Sequence, residues 1–421
     1  MSFSKSKKIL HISSSIRGGA GIASYRIHKS LLKNRYNSFM YIKDYSEIRD
    51  VKNIFFSSKN IFFLIKKIIK LIIPSNIHLY IKNFLFKKKI NPHCFYQKNE
   101  LIKKGLNKNF IEIAKGYDIL FIHWVSDFIN IHDLEKIFSL RNIKIIFIML
   151  DHAHITGGCH FSLNCNKFQS SCLNCPALTN EYNNLANQQL IEKSKKIKNF
   201  KADLITFSKV DLKLAKLSKI KFRKYLCTKI PIEFDIMDTK QTKIKNTKYL
   251  FSCAYNFEDE RKGASYFVNV LDHLDKKLKD EKLIVLCSNI PKHFENRFNN
   301  INFEKFYYSD DPKEYLKIYK KSDVFVFTSI ADSAPQMPVE ALICGTPVVS
   351  FDVANLKEII TEKNDGFIIP NLDTYYMAEK ILYVLNSKLF YGYNQRKKRS
   401  LKATKNHSSK KFICDLENFL F

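Results

Sequence analysis

Short apolar runs alternate with amphipathic stretches along most of this 421-residue chain. An apolar run bounded by turn residues is typical of a buried strand, and apolar residues every three or four positions are typical of a helix. Their alternation predicts a parallel, doubly wound α/β sheet. The predicted strands span 8–13, 117–122, 144–150 and 202–208 in the first half, and 249–254, 282–287, 301–306, 324–328, 347–351 and 366–369 in the second.

The length of the chain indicates two domains, because a single hydrophobic core rarely extends beyond about 250 to 300 residues. Residues 235–248 are polar, rich in Lys and Thr, and lack apolar periodicity, which predicts a hinge. The predicted organisation is an N-terminal domain over 1–230, a hinge over 231–248, a C-terminal domain over 249–400 and a final helix over 401–421.

A glycine-rich loop is predicted over residues 14–21, between the first strand and a helix over 22–33. Gly18 and Gly19 let a ligand come close to backbone amides, and the amides at a helix N-terminus favour phosphate. The loop is not the G-x-G-x-x-G of dinucleotide-binding sites. A tight turn that binds no ligand is the alternative interpretation.

Lysine and arginine outnumber aspartate and glutamate by 70 to 40, which gives a formal net charge of +30. This excess favours an anionic partner, although a Lys-rich composition throughout the chain explains it equally well. Residues 53–90 predict two basic amphipathic helices, which suit either an anionic membrane surface or packing on the N-terminal domain. We recognise no secretory signal and no apolar stretch of membrane-spanning length, so we expect a cytoplasmic protein, with peripheral binding to the inner membrane as an option.

Two carboxylates, Asp332 and Glu340, stand eight positions apart around the start of a predicted helix. Asp332 follows the strand over 324–328, and Gly345 to Pro347 ends the helix before the next strand. In open α/β sheets, ligands bind beyond the carboxyl ends of the strands. A carboxylate there can accept hydrogen bonds from sugar or ribose hydroxyls. The spacing therefore predicts a ligand site, and two surface acids on an ordinary strand–helix–strand unit are the alternative.

The segment from Asp332 through Glu340 to the Gly345-Thr-Pro-Val-Val run resembles the acid-x7-acid signature of family 4 retaining glycosyltransferases with the GT-B fold. The usual first acid is Glu, so Asp332 is one methylene shorter. The resemblance covers most of the chain except residues 53–90. It implies two Rossmann-like domains facing across a cleft, with the final helix crossing back onto the first. It also implies sugar transfer from a nucleotide-diphosphate donor with retention of configuration.

The resemblance gives several residues a role in donor binding. Asp332 is expected at the sugar hydroxyls and Glu340 at the ribose. Arg261 and Lys262 precede a helix and are expected to neutralise the leaving diphosphate, as guanidinium and ammonium groups can. No Asp-x-Asp stands where a catalytic Mg2+ would be needed, so no catalytic cofactor is expected. The full donor-binding set is Gly18, Gly19, Arg261, Lys262, Asp332, Ala334, Pro335, Val339 and Glu340.

The acceptor side is predicted in the N-terminal domain. His123 ends a buried strand beside Trp124, the only tryptophan of the chain. An imidazole there can meet an acceptor hydroxyl or a phosphate, and a buried structural histidine is the alternative. The catalytic residues that we expect are His123, Asp151 and Asp332.

One position departs from the resembling enzymes. They carry His-Asp after the strand over 144–150, and that histidine is expected at the donor sugar, but here its position is taken by Leu150. Asp151 matches the aspartate. His152 and His154 lie close by in the sequence and are candidates to supply the imidazole.

The loop over 151–178 contains Cys159, Cys165, Cys172 and Cys175 in the spacing C-x5-C-x6-C-x2-C. Four thiolates can close a tetrahedral zinc site, and His160 is a candidate to replace one of them. With every position filled by protein, such a zinc would be structural rather than catalytic. A reduced or partly disulfide-linked loop without metal is the alternative.

These features favour a retaining glycosyltransferase that acts on a glycan or a lipid-linked glycan in surface polysaccharide biosynthesis, such as capsule or lipopolysaccharide. Leu150 favours one alternative, an inactive GT-B scaffold. The net charge and the cysteines favour another, a zinc-containing nucleic-acid-binding protein. Because Lys167 is the only basic residue between 151 and 185, basic residues do not surround the cysteines, and no nucleic-acid partner is expected.

Overall fold

The computed structural model describes residues 6–43, 53–57, 106–126, 128–178, 184–234, 247–252, 260–278, 281–288, 294, 296–306, 312–390 and 392–420. The chain divides into two compact units. Unit 1 comprises Met1–Pro231 together with Phe412–Phe421, and unit 2 comprises Ile232–Lys411.

In the described part of unit 1, seven parallel strands form one sheet in the order β3-β2-β1-β4-β5-β6-β7. Helices lie between most successive strands, as is usual for crossovers between parallel strands. The strands are β1 (Lys8–Ser13), β2 (Asn37–Ile42), β3 (Ile54–Phe56), β4 (Ile119–Ile122), β5 (Lys144–Ile148), β6 (Asp203–Thr206) and β7 (Tyr225–Cys227). The helices are α1 (Gly18–Lys33), α2 (Lys108–Ala114), α3 (Ile131–Leu140), α4 (Leu185–Asn199) and α5 (Lys209–Leu217).

Unit 2 contains a second parallel sheet, with six strands among the described residues in the order β10-β9-β8-β11-β12-β13. The strands are β8 (Lys248–Phe251), β9 (Leu283–Cys287), β10 (Ile301–Lys305), β11 (Val324–Phe327), β12 (Val348–Phe351) and β13 (Gly366–Ile369). The helices that follow in sequence are α6 (Ala264–Leu278), α7 (Pro312–Lys321), α8 (Gln336–Ile343), α9 (Leu356–Ile359), α10 (Thr374–Asn386), α11 (Tyr393–Asn406) and α12 (Ser409–Leu420).

Both strand orders reverse direction at one point. In unit 1 the reversal lies between β1 and β4, and in unit 2 it lies between β8 and β11. Connections leave the carboxyl ends of these neighbouring strands in opposite directions, which opens a crevice where ligands of doubly wound sheets bind. A ligand-binding site is therefore expected in the segments that follow β1, β4, β8 and β11.

The prediction of two doubly wound α/β sheets is confirmed. Every strand predicted from the sequence is present with slightly different ends, whereas the predictions did not include β2, β3 and β7. Part of the segment predicted as basic helices is instead the short edge strand β3. Residues 58–90 of that segment, and residues 235–246 of the predicted hinge, lie outside the described residues.

The helix after β1 begins at Gly18, four residues before its predicted start. Gly18 and Gly19 thus lie in the first turn of α1 rather than in a loop, and Gly18 has a φ of +71°. A Cβ on Gly21 would lie 2.6 Å from the carbonyl carbon of Ile16. Gly21 therefore allows the first turns of the helix to pack directly against the loop that follows the strand.

Two buried arginines of α11 hold the C-terminal end of α8. Arg396 donates to the carbonyls of Ser322 (3.3 Å) and Cys344 (3.2 Å), and Arg399 donates to the carbonyl of Gly345. Cations there satisfy the last carbonyls of a helix and oppose its dipole. Helix α8, which carries Glu340, is thereby fixed at its far end.

In the described part of the chain, no helix is both long and apolar enough to cross a membrane.

Candidate functional site

Three charged side chains meet at the strand reversal of unit 2. Lys262 Nζ lies 3.2 Å from Asp332 Oδ2, and Arg261 Nη1 lies 3.7 Å from the same oxygen. Arg261 also donates to the carbonyl of Ala331 at 3.1 Å. All three side chains are about four-fifths buried, with side-chain exposures of 17% to 26%. The cluster carries one positive charge in excess and suits an anion.

The backbone brings the two parts of this cluster together. The amide of Ile330 donates to the carbonyl of Arg261 at 2.9 Å. Gly263 follows directly, with a φ of +70°, and a Cβ there would lie 1.9 Å from the carbonyl oxygen of Thr328. Only glycine permits this approach, so the loop before α6 lies directly against the loop after β11.

Glu340 lies in the middle of α8, one turn beyond the start of the helix, where the sequence pattern placed it. It is 9% exposed and accepts a hydrogen bond of 2.9 Å from the hydroxyl of Tyr319 in α7. Pro335 is the N-cap of α8 and its side chain makes no capping hydrogen bond. The first-turn amides of a helix have no acceptor within it, and the helix dipole favours negative charge there. Unit 2 thus presents two cations paired with Asp332, and the segment that follows Asp332 in sequence supplies a helix N-terminus and a second carboxylate.

At the strand reversal of unit 1, His123 follows β4 and is fully buried. Its Nε2 lies 2.9 Å from Nδ1 of His11 in β1. Its backbone amide donates to the carbonyl of Ile12 at 3.0 Å, which extends the pairing of β1 with β4. His123 therefore exposes none of its ring to solvent in the described structure.

Asp151 forms a pair with His160 at the end of β5. Asp151 Oδ2 lies 2.6 Å from His160 Nδ1, while Oδ1 accepts from the amide of Ala153 at 2.8 Å. The His160 side chain is 23% exposed, and its ring centroid lies 6.2 Å from that of Trp124. Burial alone raises the pKa of Asp151, but His160, His154 and the Ala153 amide together hold it below its usual value.

His160 is the partly exposed imidazole at this edge, although the sequence suggested it only as a spare metal ligand. Of the two histidines suggested for the missing imidazole, His152 is buried with its Nε2 3.2 Å from Asp211 of α5. His154 is also buried, with its ring 5.0 Å from that of Phe147. The nine-residue separation of Asp151 and His160 matches no helical or strand repeat, so periodicity does not reveal the pair.

The four cysteines of the 151–178 loop are free thiols that interact with one another. A hydrogen bond from Cys159, aided by the amides of Ala177 and Leu178 and by Lys167, lowers the pKa of Cys175 to about 7 against the effect of burial. Within the described residues, no group of three or more His, Cys, Asp or Glu side chains is arranged to hold a metal ion. A zinc site at these thiols therefore stays a prediction.

Comparison with known proteins gives a match to part of the sequence. Residues 236–406 match the family model described as glycosyl transferases group 1. A curated relative, an uncharacterized 41.2 kDa protein in the cps region of Klebsiella pneumoniae, is 26% identical over 156 residues, or 37% of this chain. The match spans 40% of the length of that relative.

Solved structures resemble the chain over nearly its whole length. HepE of Anabaena, in complex with UDP, has a TM-score of 0.62 at 12% identity and covers 98% of this chain and 99% of its own. TarM of S. aureus has a TM-score of 0.63 at 13% identity, covering 98% of both chains. Sucrose-phosphate synthase of Thermosynechococcus elongatus has a TM-score of 0.59 at 13% identity, with the same coverage. The chain has the GT-B fold of these glycosyltransferase structures.

Proposed function

We propose that this chain is a retaining glycosyltransferase that moves a sugar from a nucleotide-diphosphate donor to a glycan or a lipid-linked glycan. The observation that carries the proposal is the cluster of Arg261, Lys262 and Asp332 at the strand reversal of unit 2. It lies within the residues that match the family model. Support for the donor class comes from HepE, which was solved with UDP and with UDP-glucose.

In this proposal, unit 2 binds the donor. Arg261, Lys262 and the amides at the start of α8 hold the diphosphate, Glu340 accepts hydrogen bonds from the ribose hydroxyls, and Asp332 accepts them from the sugar. Positive groups aimed at the leaving diphosphate stabilise the charge that develops when the bond to the sugar breaks. The diphosphate departs on the face that the acceptor attacks, and its oxygen helps to remove the proton of the acceptor hydroxyl.

Unit 1 binds the acceptor in this proposal, with Asp151 and His160 at its sheet edge. The match to a cps-region protein supports a polysaccharide product. The amphipathic segment over 53–90 is proposed to contact the inner leaflet, where a lipid-linked acceptor would be found.

A thermal-shift screen with UDP, GDP and their sugars tests the donor class. A nucleotide present at about 100 times its Kd stabilises a folded protein by about 2.7 kcal/mol. We expect an increase in Tm with one nucleotide family and a smaller one when Glu340 is replaced by Gln. If no nucleotide changes the Tm, the result would favour the inactive GT-B scaffold, the alternative that Leu150 suggests, over an active glycosyltransferase.

Replacement of Asp151 by Asn tests the acceptor side. The substitution removes the charge that orients His160, so we expect transfer to fall by about 10- to 100-fold, while the shift in Tm with nucleotide stays as in the wild type. The matched control is Asp211→Asn, which breaks the other carboxylate–histidine pair of unit 1, at His152. Equal losses of transfer in the two variants would count against a special role for Asp151.

The structural zinc stays a prediction, carried by the four mutually interacting cysteines of one loop. Metal analysis of the purified protein decides it. About one zinc per chain, lost on replacement of Cys172 by Ala, is the result that the prediction requires. A metal content far below one equivalent would leave the thiols as an ordinary reduced cluster.

A further inference from the structure

Two histidines from neighbouring strands form a buried pair in unit 1. His11 lies in β1, where its Cα pairs with that of Phe121 in β4, and His123 follows the end of β4. Neither residue is exposed. Their nitrogens Nδ1 and Nε2 lie 2.9 Å apart, and the rings are nearly parallel, with an angle of 14° and centroids 5.1 Å apart. The pair thus joins the two strands that border the strand reversal.

The surroundings keep both imidazoles neutral. Burial is the main cause that lowers the pKa of His11 well below its usual value, with His123 and His28 adding to it. Burial likewise lowers the pKa of His123 to about 3, aided by His154 and His28. These neighbours come from α1 and from the turn after β5, and they are imidazoles rather than carboxylates. Neither ring can therefore serve as a cation near neutral pH.

Because both rings are neutral, their protonation determines how they can hydrogen-bond to each other. Each neutral imidazole carries one N–H and one acceptor nitrogen, and a contact of 2.9 Å between two ring nitrogens requires one hydrogen between them, so one ring donates to the other. His123 Nδ1 and His11 Nε2 are buried and have no hydrogen-bond partner among the residues that the structure describes. The pair is consequently a buried hydrogen bond, which is stronger in the low dielectric of the protein interior than in water.

The pair lies beneath the segment that reaches the edge of the sheet. Trp124, which is partly exposed, follows His123 directly, and its carbonyl accepts a 2.7 Å hydrogen bond from the amide of Ser14. The hydroxyl of Ser14 donates to the carbonyl of Ser126 at 2.5 Å. The ends of β1 and β4 are therefore tied to each other immediately after the two histidines.

We propose that His11 and His123 are positioning residues, which hold Trp124 and the segment after β1 in place and do not themselves contact the substrate. This rests on the proposed function, in which this edge binds the acceptor. It changes the role expected for His123, from a group that meets a hydroxyl or a phosphate to one that acts through Trp124. The imidazole that remains for contact with the substrate at this edge is that of His160.

The single tryptophan reports on this arrangement without interference from other residues. Replacing His11 by Phe keeps an aromatic ring in the stack and removes the hydrogen bond, whereas His11→Asn places an amide near the position of Nδ1. We expect His11→Phe to change the Trp124 emission spectrum and to raise the KM for the acceptor about tenfold, with a smaller effect on kcat. We expect His11→Asn to restore most of the wild-type emission spectrum and most of the wild-type KM for the acceptor. An exposed histidine of α3, His132, provides the control as His132→Phe.

Ring-15N-histidine NMR gives a second measurement that needs no activity. We expect wild-type His11 and His123 to stay neutral from pH 5 to 8, with a coupling across the N–H···N hydrogen bond. A His123 ring that titrates near its ordinary pKa, or wild-type emission and KM in a folded His11→Phe variant, would overturn the proposal. Absence of any nucleotide or transfer response would remove the proposed function, while the spectra would still decide whether the histidine pair holds Trp124.

Discussion

Nucleotide binding is expected to weaken by about 10- to 150-fold when Glu340 is replaced by Gln, because hydrogen bonds to a charged partner contribute about 1.5 to 3 kcal/mol. The carboxylate is largely buried, so water cannot easily take its place. It has two oxygens for the two hydroxyls of a ribose, while the amide of Gln offers only one acceptor. Isothermal titration with the nucleotide that responds in the thermal-shift screen measures the loss.

A control variant distinguishes the contact of Glu340 with the ribose from the hydrogen bond that Glu340 accepts within the protein. Tyr319→Phe removes the hydroxyl that donates to Glu340 Oε2 but leaves the carboxylate in place. We expect this variant to bind nucleotide within about fivefold of the wild type, because the lost hydroxyl supports the carboxylate but is not expected to contact the ribose itself. Unchanged affinity in Glu340→Gln, with full transfer activity, would show that α8 does not hold the ribose.

Replacing Lys262 by Ala is expected to lower kcat by about 10²- to 10³-fold, the size of effect seen when one pre-arranged group that stabilises transition-state charge is removed. Lys262 is the nearer to Asp332 of the two cations in the described cluster, and its loss leaves Arg261 beside that carboxylate. The negative charge on the departing diphosphate would then be poorly balanced. Initial rates of sugar transfer at saturating donor measure the change.

Two further variants serve as controls for this result. Lys262→Arg keeps the charge and is expected to retain a larger part of kcat than the Ala variant, although a planar guanidinium fits the position less well. Lys276→Ala removes an exposed lysine from the last turn of α6 and should leave kcat unchanged. Wild-type rates in Lys262→Ala would mean that another group carries the charge of the leaving diphosphate.

The sequence was sufficient for the fold class, although not for every strand, because most strands are short, apolar and separated by helical stretches, as β11, α8 and β12 illustrate. It was less informative at element ends. The helix that contains Gly18 starts before its apolar periodicity does, since glycine carries no apolar signal. The strand β2 follows closely behind α1 in sequence, without a turn signal strong enough to separate them.

Sequence patterns predict the contacts of the candidate site less completely than they predict the fold. Asp332 and Glu340 are neighbours in sequence, so their spacing was informative. The ion pair of Lys262 with Asp332 joins residues 70 positions apart, and the His11–His123 pair joins residues 112 positions apart. Such contacts depend on the strand order, which brings β1 beside β4 and β8 beside β11. No local pattern encodes that order, and only the assembled sheet reveals which side chains meet.

Unit 1 is discontinuous in sequence, because Phe412–Phe421 belong to it although unit 2 is inserted before them. Phe412, Leu416 and Phe419 are buried, and Asp415 accepts a 2.7 Å hydrogen bond from Thr228. A ribosome makes the sheet of unit 1 first and its closing helix last. During synthesis, the apolar surface that packs against this helix stays exposed to solvent until all of unit 2 has been made. Exposed apolar surface makes a nascent chain prone to aggregate, so the risk is greatest in this interval.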